Sequence, residues 1–168
     1  MVKSDDSPTY NSLANSTEET RTVSDNFLIN NAIKLLTARI KDCKEGVANP
    51  SDAVKLAKLH LSRKGKEEFW VMWLNNQHQL IEFEQMFKGT VDSCRVYPRE
   101  FLERAFEVEA CACILVHNHP SGKCEPSGVD KDITNKLKEL TALVDIRLLD
   151  HIIVAKSSSY KFSDNGLI

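Results

Sequence analysis

The chain lacks an uninterrupted apolar stretch long enough to cross a bilayer, so no membrane-spanning helix is expected. It lacks a positively charged start followed by an apolar segment, which argues against an export signal. It also lacks a dominant sign of charge. The 22 lysines and arginines stand against 24 acids, for a net charge of -2 at pH 7. Nucleic-acid affinity needs a concentrated positive footprint, so charge gives a nucleic-acid role no support. The short basic group Arg63-Lys64-Gly65-Lys66 reads as a solvated connector. Cysteine is sparse and odd in number: Cys43, Cys94, Cys111, Cys113 and Cys124. Cys111 and Cys113 fall on one face of a strand with one residue between them, which makes them poor disulfide partners. No second pair completes a four-thiolate zinc site. Cys124 lies in a loop and is not counted as a ligand. Unpaired thiols favour a reducing compartment, so a cytoplasmic protein is expected. At 168 residues the chain can bury a substantial core without disulfides.

Three regions are expected. Residues 1–25 are rich in Ser, Thr, Asn, Asp and Glu and read as a mobile polar tail. Residues 26–62 read as a short helical region. One helix runs from Phe27 to Ile40 with Ile29, Ile33, Leu36 and Ile40 along a stripe. Pro50 resets the chain, and a second helix runs from Ser51 to Leu61 with Val54, Ala57 and Leu61 on its apolar side. Residues 63–168 form the main domain. Strands are expected over 69–74 and 80–84, joined by a turn containing an exposed His78, and an extended stretch follows Gly89 to about Tyr97. Pro98 opens a helix that packs through Phe101, Leu102, Ala105, Phe106 and Val108. A buried strand over 110–116, a helix from Ser127 to about Leu143, and late strands over 146–155 and 160–162 complete it. This predicts an α/β fold, a mixed β-sheet flanked by helices.

The stretch His117-Asn118-His119-Pro120, followed by Ser127-Gly128-Val129-Asp130, carries the chemistry. His117, His119 and Asp130 can close around one zinc ion, leaving its fourth position for water. Strand end, loop and first helical turn bring them beyond the carboxyl end of a strand, where α/β proteins collect ligands. Plainer roles fit each residue as well. Ser127 and Asp130 nearly make a capping box, with aspartate in place of glutamate. His117 fits a buried histidine bonded to backbone, and His119 fits an ordinary loop residue before proline.

His-x-His, seven residues, then Ser-x-x-Asp resembles the JAMM (MPN-plus) metalloprotease-like domain. The longer text His117-Asn-His-Pro-Ser-Gly122, then Pro126-Ser127, then Leu148-Leu149-Asp150-His151-Ile152-Ile153, resembles the RadC family. Arg99-Glu100 and the ending Tyr160 to Leu167 are similar too, and the likeness covers roughly 66–168. The resemblance implies a JAMM fold, related in architecture to cytidine deaminases. It implies one zinc ion on His117, His119 and Asp130. It also implies an upstream glutamate that moves the proton of the attacking water, which falls on Glu67. Glu68 is the runner-up, because a one-residue slip turns the side chain to the opposite face. Both glutamates also read as solvated charges at a strand edge. The resemblance gives Ser127 a second role, facing the oxyanion formed on an amide carbonyl.

Asp150 and His151 precede an apolar run, at the mouth of a strand. They read as hydrogen-bonding support for the metal ligands rather than a fourth ligand. A deaminase would need His-x-Glu and Pro-Cys-x-x-Cys, and the chain has neither. The flanks likewise set aside an HNH nuclease. The function implied is a zinc-dependent hydrolase of metallopeptidase or isopeptidase type, acting on an unknown protein or peptide amide. Two alternatives stay open: a RadC-like protein of DNA repair or mobile elements, and an inert JAMM scaffold for a protein partner.

Overall fold

The computed structural model describes residues 11–42, 50–89 and 95–168. Helix α1 spans Asn11–Asp42 and α2 spans Pro50–Leu61. Strands β1 (Glu68–Leu74) and β2 (Leu80–Lys88) form a hairpin. Helix α3 (Pro98–Glu107), strand β3 (Ala112–Asn118), helix α4 (Gly128–Ala142) and strand β4 (Arg147–Val154) follow. Strand β5 (Ser159–Lys161) and a 3-10 turn over Ser163–Asn165 end the chain. The sheet order is β2-β1-β3-β4-β5. Among the described strands only the β3–β4 pair is parallel, because α4 carries the chain back over the sheet. This is the expected mixed sheet flanked by helices.

Strand alternation divides the core into two layers. On one face α1 and α2 bring Ile40, Leu56, Ala57 and Leu61 against Met72, Leu74, Ile114, Val116 and Ile152. On the other, α3 and α4 bring Phe101, Ala105 and Leu137 against Val71, Trp73, Cys113, Leu115 and Leu148. Both faces of β3 are covered, so all seven of its residues are buried. That explains its nearly continuous apolar text. Arg104 of α3 clamps the hairpin edge through Glu82 at 2.8 Å and Glu84 at 2.7 Å.

Several expectations change in detail. The helix expected over 27–40 is the later part of the longer α1. The expected tail over 1–25 falls partly on residues 1–10, which lie outside the described residues, as do 90–94 of the extended stretch and both Cys43 and Cys94. His78 is half-buried rather than exposed, with φ 60° and its Nε2 buried without a hydrogen-bond partner. Phe106 is exposed rather than packed, because it points away from Phe101 and Ala105 on a short helix. Asp150 and His151 lie inside β4, not at its mouth, since pairing with β3 begins at Arg147. Among the described residues, no helix is long and apolar enough to cross a membrane.

Candidate metal centre

His117 is the penultimate residue of β3. Alternation turns its side chain to the α3/α4 face, beside Phe69, its register partner on β1. His119 begins the loop beyond the strand. Its backbone N–H donates to the Val154 carbonyl at 2.9 Å, which holds the loop against β4. The loop then turns tightly, with Gly122 at φ 86°, a conformation that favours glycine. Asp130 arrives from the first turn of α4.

Ser127 caps that helix, and the reciprocal capping box is complete. Asp130 Oδ2 accepts from the Ser127 backbone N–H and from its hydroxyl, each at 2.7 Å. Ser127 Oγ accepts in turn from the Asp130 N–H at 3.1 Å. The capping role and the cluster role therefore fall on the same carboxylate.

The histidines meet that carboxylate directly. His117 Nε2 lies 3.2 Å from Asp130 Oδ1, and His119 Nε2 lies 3.4 Å from Oδ2. The two Nε2 atoms are 2.9 Å apart. Glu67 completes the group: one ligand atom from each of Glu67, His117, His119 and Asp130 lies within 4.8 Å of the others. His119 Nδ1 is 2.9 Å from the Lys123 carbonyl. A carbonyl can only accept, so Nδ1 carries the proton and the neutral ring turns its Nε2 lone pair inward. Two carboxylates and inward-facing imidazole nitrogen make a donor set suited to a cation, and nitrogen with oxygen suits zinc. The residues present fit the ion.

Electrostatics agree. Burial raises the Asp130 carboxyl, but the adjoining His117 and His119 rings and the Ser127 hydroxyl outweigh it and hold the group well below the usual carboxylate range. His119 is raised, first by the Asp130 carboxylate beside it, which favours its charged form, against the opposing effect of burial. Glu67 is raised by burial, partly offset by the neighbouring His117 and His119. A carboxylate raised in this way is a better proton acceptor near neutrality than an exposed one.

Glu67 and Glu68 separate as a period of two requires. Glu68 is the first residue of β1 and only 3% exposed, so it is not a solvated charge. It accepts from the Trp70 indole at 3.0 Å and faces Lys64 and Lys88. Asn118, between the two histidines, fixes this segment. Its Oδ1 accepts from the Glu68 N–H at 2.9 Å, and its amide donates to the Lys66 carbonyl at 3.0 Å and the Lys64 carbonyl at 3.3 Å. Strand alternation puts Asn118 opposite His117, so the motif's two faces do different work: one builds the cluster, the other holds the backbone that carries Glu67.

His151 stands behind His117, with His117 Nδ1 2.7 Å from His151 Nε2. His151 is wholly buried; burial, then the nearby His117, pushes it well below the usual imidazole range. Its Nδ1 lies 2.6 Å from Thr134 Oγ1 on α4. Asp150 faces the other way and ties down the chain's end, accepting from the Ser163 N–H at 3.0 Å and its hydroxyl at 2.8 Å. Cys124 is not in the cluster. Sequence reasoning missed Asn118 and Thr134. The signals were a polar residue in a buried strand and a threonine one helical turn after Asp130.

The cluster opens into a cavity of about 740 Å³. Its walls include Phe69, Val96, Tyr97, Val129 and Ile133, with Ser127 at the cluster's edge and Arg95 among the polar lining.

Comparison with known proteins follows the same residues. The family described as the RadC-like JAB domain matches residues 47–167. A UPF0758 protein of Vibrio cholerae is 48% identical over 122 residues, covering 73% of this chain and 77% of that protein. A UPF0758 protein of Methylibium petroleiphilum is 45% identical over 120 residues, and this chain spans about half of it, 54%. The UPF0758 protein YkfG of Escherichia coli is 39% identical over 147 residues, covering 88% of this chain and 93% of that one.

Proposed function

The chain belongs to the RadC-like JAB domain family, and on that premise we propose that it is a zinc-dependent hydrolase of metallopeptidase or isopeptidase type. One observation carries the reading: four ligand atoms of Glu67, His117, His119 and Asp130 converge within 4.8 Å at the wall of a substrate-sized cavity. His117, His119 and Asp130 would hold one zinc ion. When bound, zinc supplies Lewis acidity and makes water a nucleophile near neutral pH. Glu67 takes a proton from the attacking water and returns it to the leaving amide nitrogen. Ser127 donates to the developing oxyanion. Its single hydroxyl hydrogen is directed at Asp130 Oδ2, so this donation requires the hydroxyl to rotate.

The substrate class proposed is an amide in a protein or peptide. An open cavity with apolar walls suits side chains next to a scissile bond better than a nucleic-acid backbone, and the balanced charge of the chain points the same way. A cytoplasmic setting belongs to the same proposal and rests on the free thiols of Cys111, Cys113 and Cys124. A cytidine-deaminase-like arrangement is proposed for the fold, supported by the β3–α4–β4 crossover that carries the site. Zinc-loaded protein should cleave members of a mixed peptide and isopeptide library, with cleavage abolished by chelation and restored by zinc. A fully zinc-loaded protein that cleaves nothing would favour a scaffold for a protein partner. A protein that takes up no zinc would sink the reading.

A further inference from the structure

The hydrogen bonds behind His117 have only one consistent direction. The Thr134 hydroxyl lies 2.5 Å from the Asp130 backbone carbonyl. That oxygen can only accept, so the single hydroxyl hydrogen goes to it. Thr134 Oγ1 must then accept from His151 Nδ1, 2.6 Å away. A neutral His151 with its proton on Nδ1 has a bare Nε2, which can only accept from His117 Nδ1 at 2.7 Å. In its neutral, metal-binding form His117 then turns an unprotonated Nε2 toward Asp130 and His119.

We infer that Thr134 and His151 are positioning residues that set the tautomer of His117 and so expose its Nε2 lone pair to the cluster. The chain closes on itself. It begins at the backbone carbonyl of Asp130, crosses α4, β4 and β3, and ends opposite the Asp130 side chain. His151 and Thr134 are both 0% exposed, so bulk solvent does not reach either of them. Phe162 stacks on His151 with ring centroids 4.7 Å apart, and Phe69 meets its edge at 5.8 Å. These contacts hold the ring in the plane that the two hydrogen bonds need. A metal-binding imidazole whose other nitrogen donates to a fixed acceptor is oriented and more basic. Here the acceptor is a second imidazole, itself set by a hydroxyl.

The inference rests on the metal-centre reading for its purpose but not for its test. Histidine-labelled full-length protein should be read by long-range proton–nitrogen NMR, with and without zinc. His151 should show a protonated Nδ1 and a pyridine-like Nε2 in both states. A proton on His151 Nε2 overturns the inference. Thr134→Val keeps the shape and removes the hydroxyl. It should disturb the His151 tautomer and weaken zinc binding by about 10–100-fold in chelator competition. Thr134→Ser should keep both. A Thr134 needed only for packing would lower thermal stability in the valine variant and leave tautomer and zinc affinity unchanged, which also overturns the inference. Should the unaltered protein take up no zinc, the proposed function fails, while the His151 nitrogens still decide the tautomer.

Discussion

Ser127 and Asp130 hold each other at the start of α4, the carboxylate accepting the serine's N–H and hydroxyl while the serine oxygen accepts the aspartate's N–H. The remaining oxygen, Oδ1, faces His117. A helix cap thus sets the angle at which the Asp130 carboxylate enters the cluster. Ser127→Ala should cost about 1 kcal/mol of stability through the lost cap, whereas Ser127→Gly should cost only roughly a few tenths. If the hydroxyl also serves the oxyanion, turnover should fall equally in both variants. Denaturation midpoints and rates measured together separate the two roles, and a glycine variant with full turnover refutes the second.

Protein purified without added metal should carry zinc near one per chain by elemental analysis. The double variant His117→Ala, His119→Ala should lose it, since it deletes two of the four converging donors. Full retention of zinc in that variant would defeat the ligand assignment.

The two glutamates should behave differently. Glu67→Gln should keep zinc and reduce turnover by about 10²–10⁴-fold. Glu68→Gln should act on stability instead. It weakens a buried carboxylate that holds the Trp70 indole and faces two lysines. Unchanged turnover in a folded, zinc-loaded Glu67→Gln protein contradicts the mechanism.

Asn118→Leu should lower stability by about 1–3 kcal/mol, the cost of leaving the buried Glu68 N–H without its acceptor. It should also free the 64–68 backbone from β3. Hydrogen exchange at Glu68 should rise well before exchange in the middle of β1. Uniform exchange along β1 would show that Asn118 does not fix this segment.

The buried Cys113 thiol is pushed up to about 12 from an ordinary 9.0 by burial alone. Its protonated form is favoured by folding. The resulting contribution to stability is complete below pH 9.0, declines above it, and is lost as pH passes about 12. Native protein should therefore resist alkylation at Cys113 from pH 7 to 9, while Cys111 and Cys124, both partly exposed, react first. Rapid labelling of Cys113 in that window by mass spectrometry would contradict its burial.

The division at residues 25 and 62 also awaits trial, by truncation. Deleting 1–25 should leave the melting temperature nearly unchanged. Deleting 1–62 removes α2 and its cover over Met72, Leu74, Ile114 and Val116. That exposure should produce aggregation, and a soluble, cooperative 63–168 fragment would show the helices to be an addition rather than a layer of the core.

The sequence by itself determined the sheet, the helices around it and the cluster's two histidines and aspartate, for local physical reasons. The buried strand announces itself in the apolar run over 110–116, of which 112–116 lie in β3, whose two faces are covered. Ser-x-x-Asp announces a helix start whatever else it does. His-x-His places two imidazoles at the end of one strand. Tertiary structure decided what those residues face. Choosing between Glu67 and Glu68 needed the register of β1 against β3, where Phe69 meets His117, because one residue of slip exchanges the two faces. Apart from the bond of Thr134 to the Asp130 carbonyl, Asn118, Thr134 and His151 acquired their roles from partners 17 to 54 residues away. Such pairings are invisible in local periodicity: those of Asn118 exist only once β1 pairs antiparallel with β3, and those of Thr134 and His151 only once the parallel β3–β4 crossover brings α4 over the strand ends.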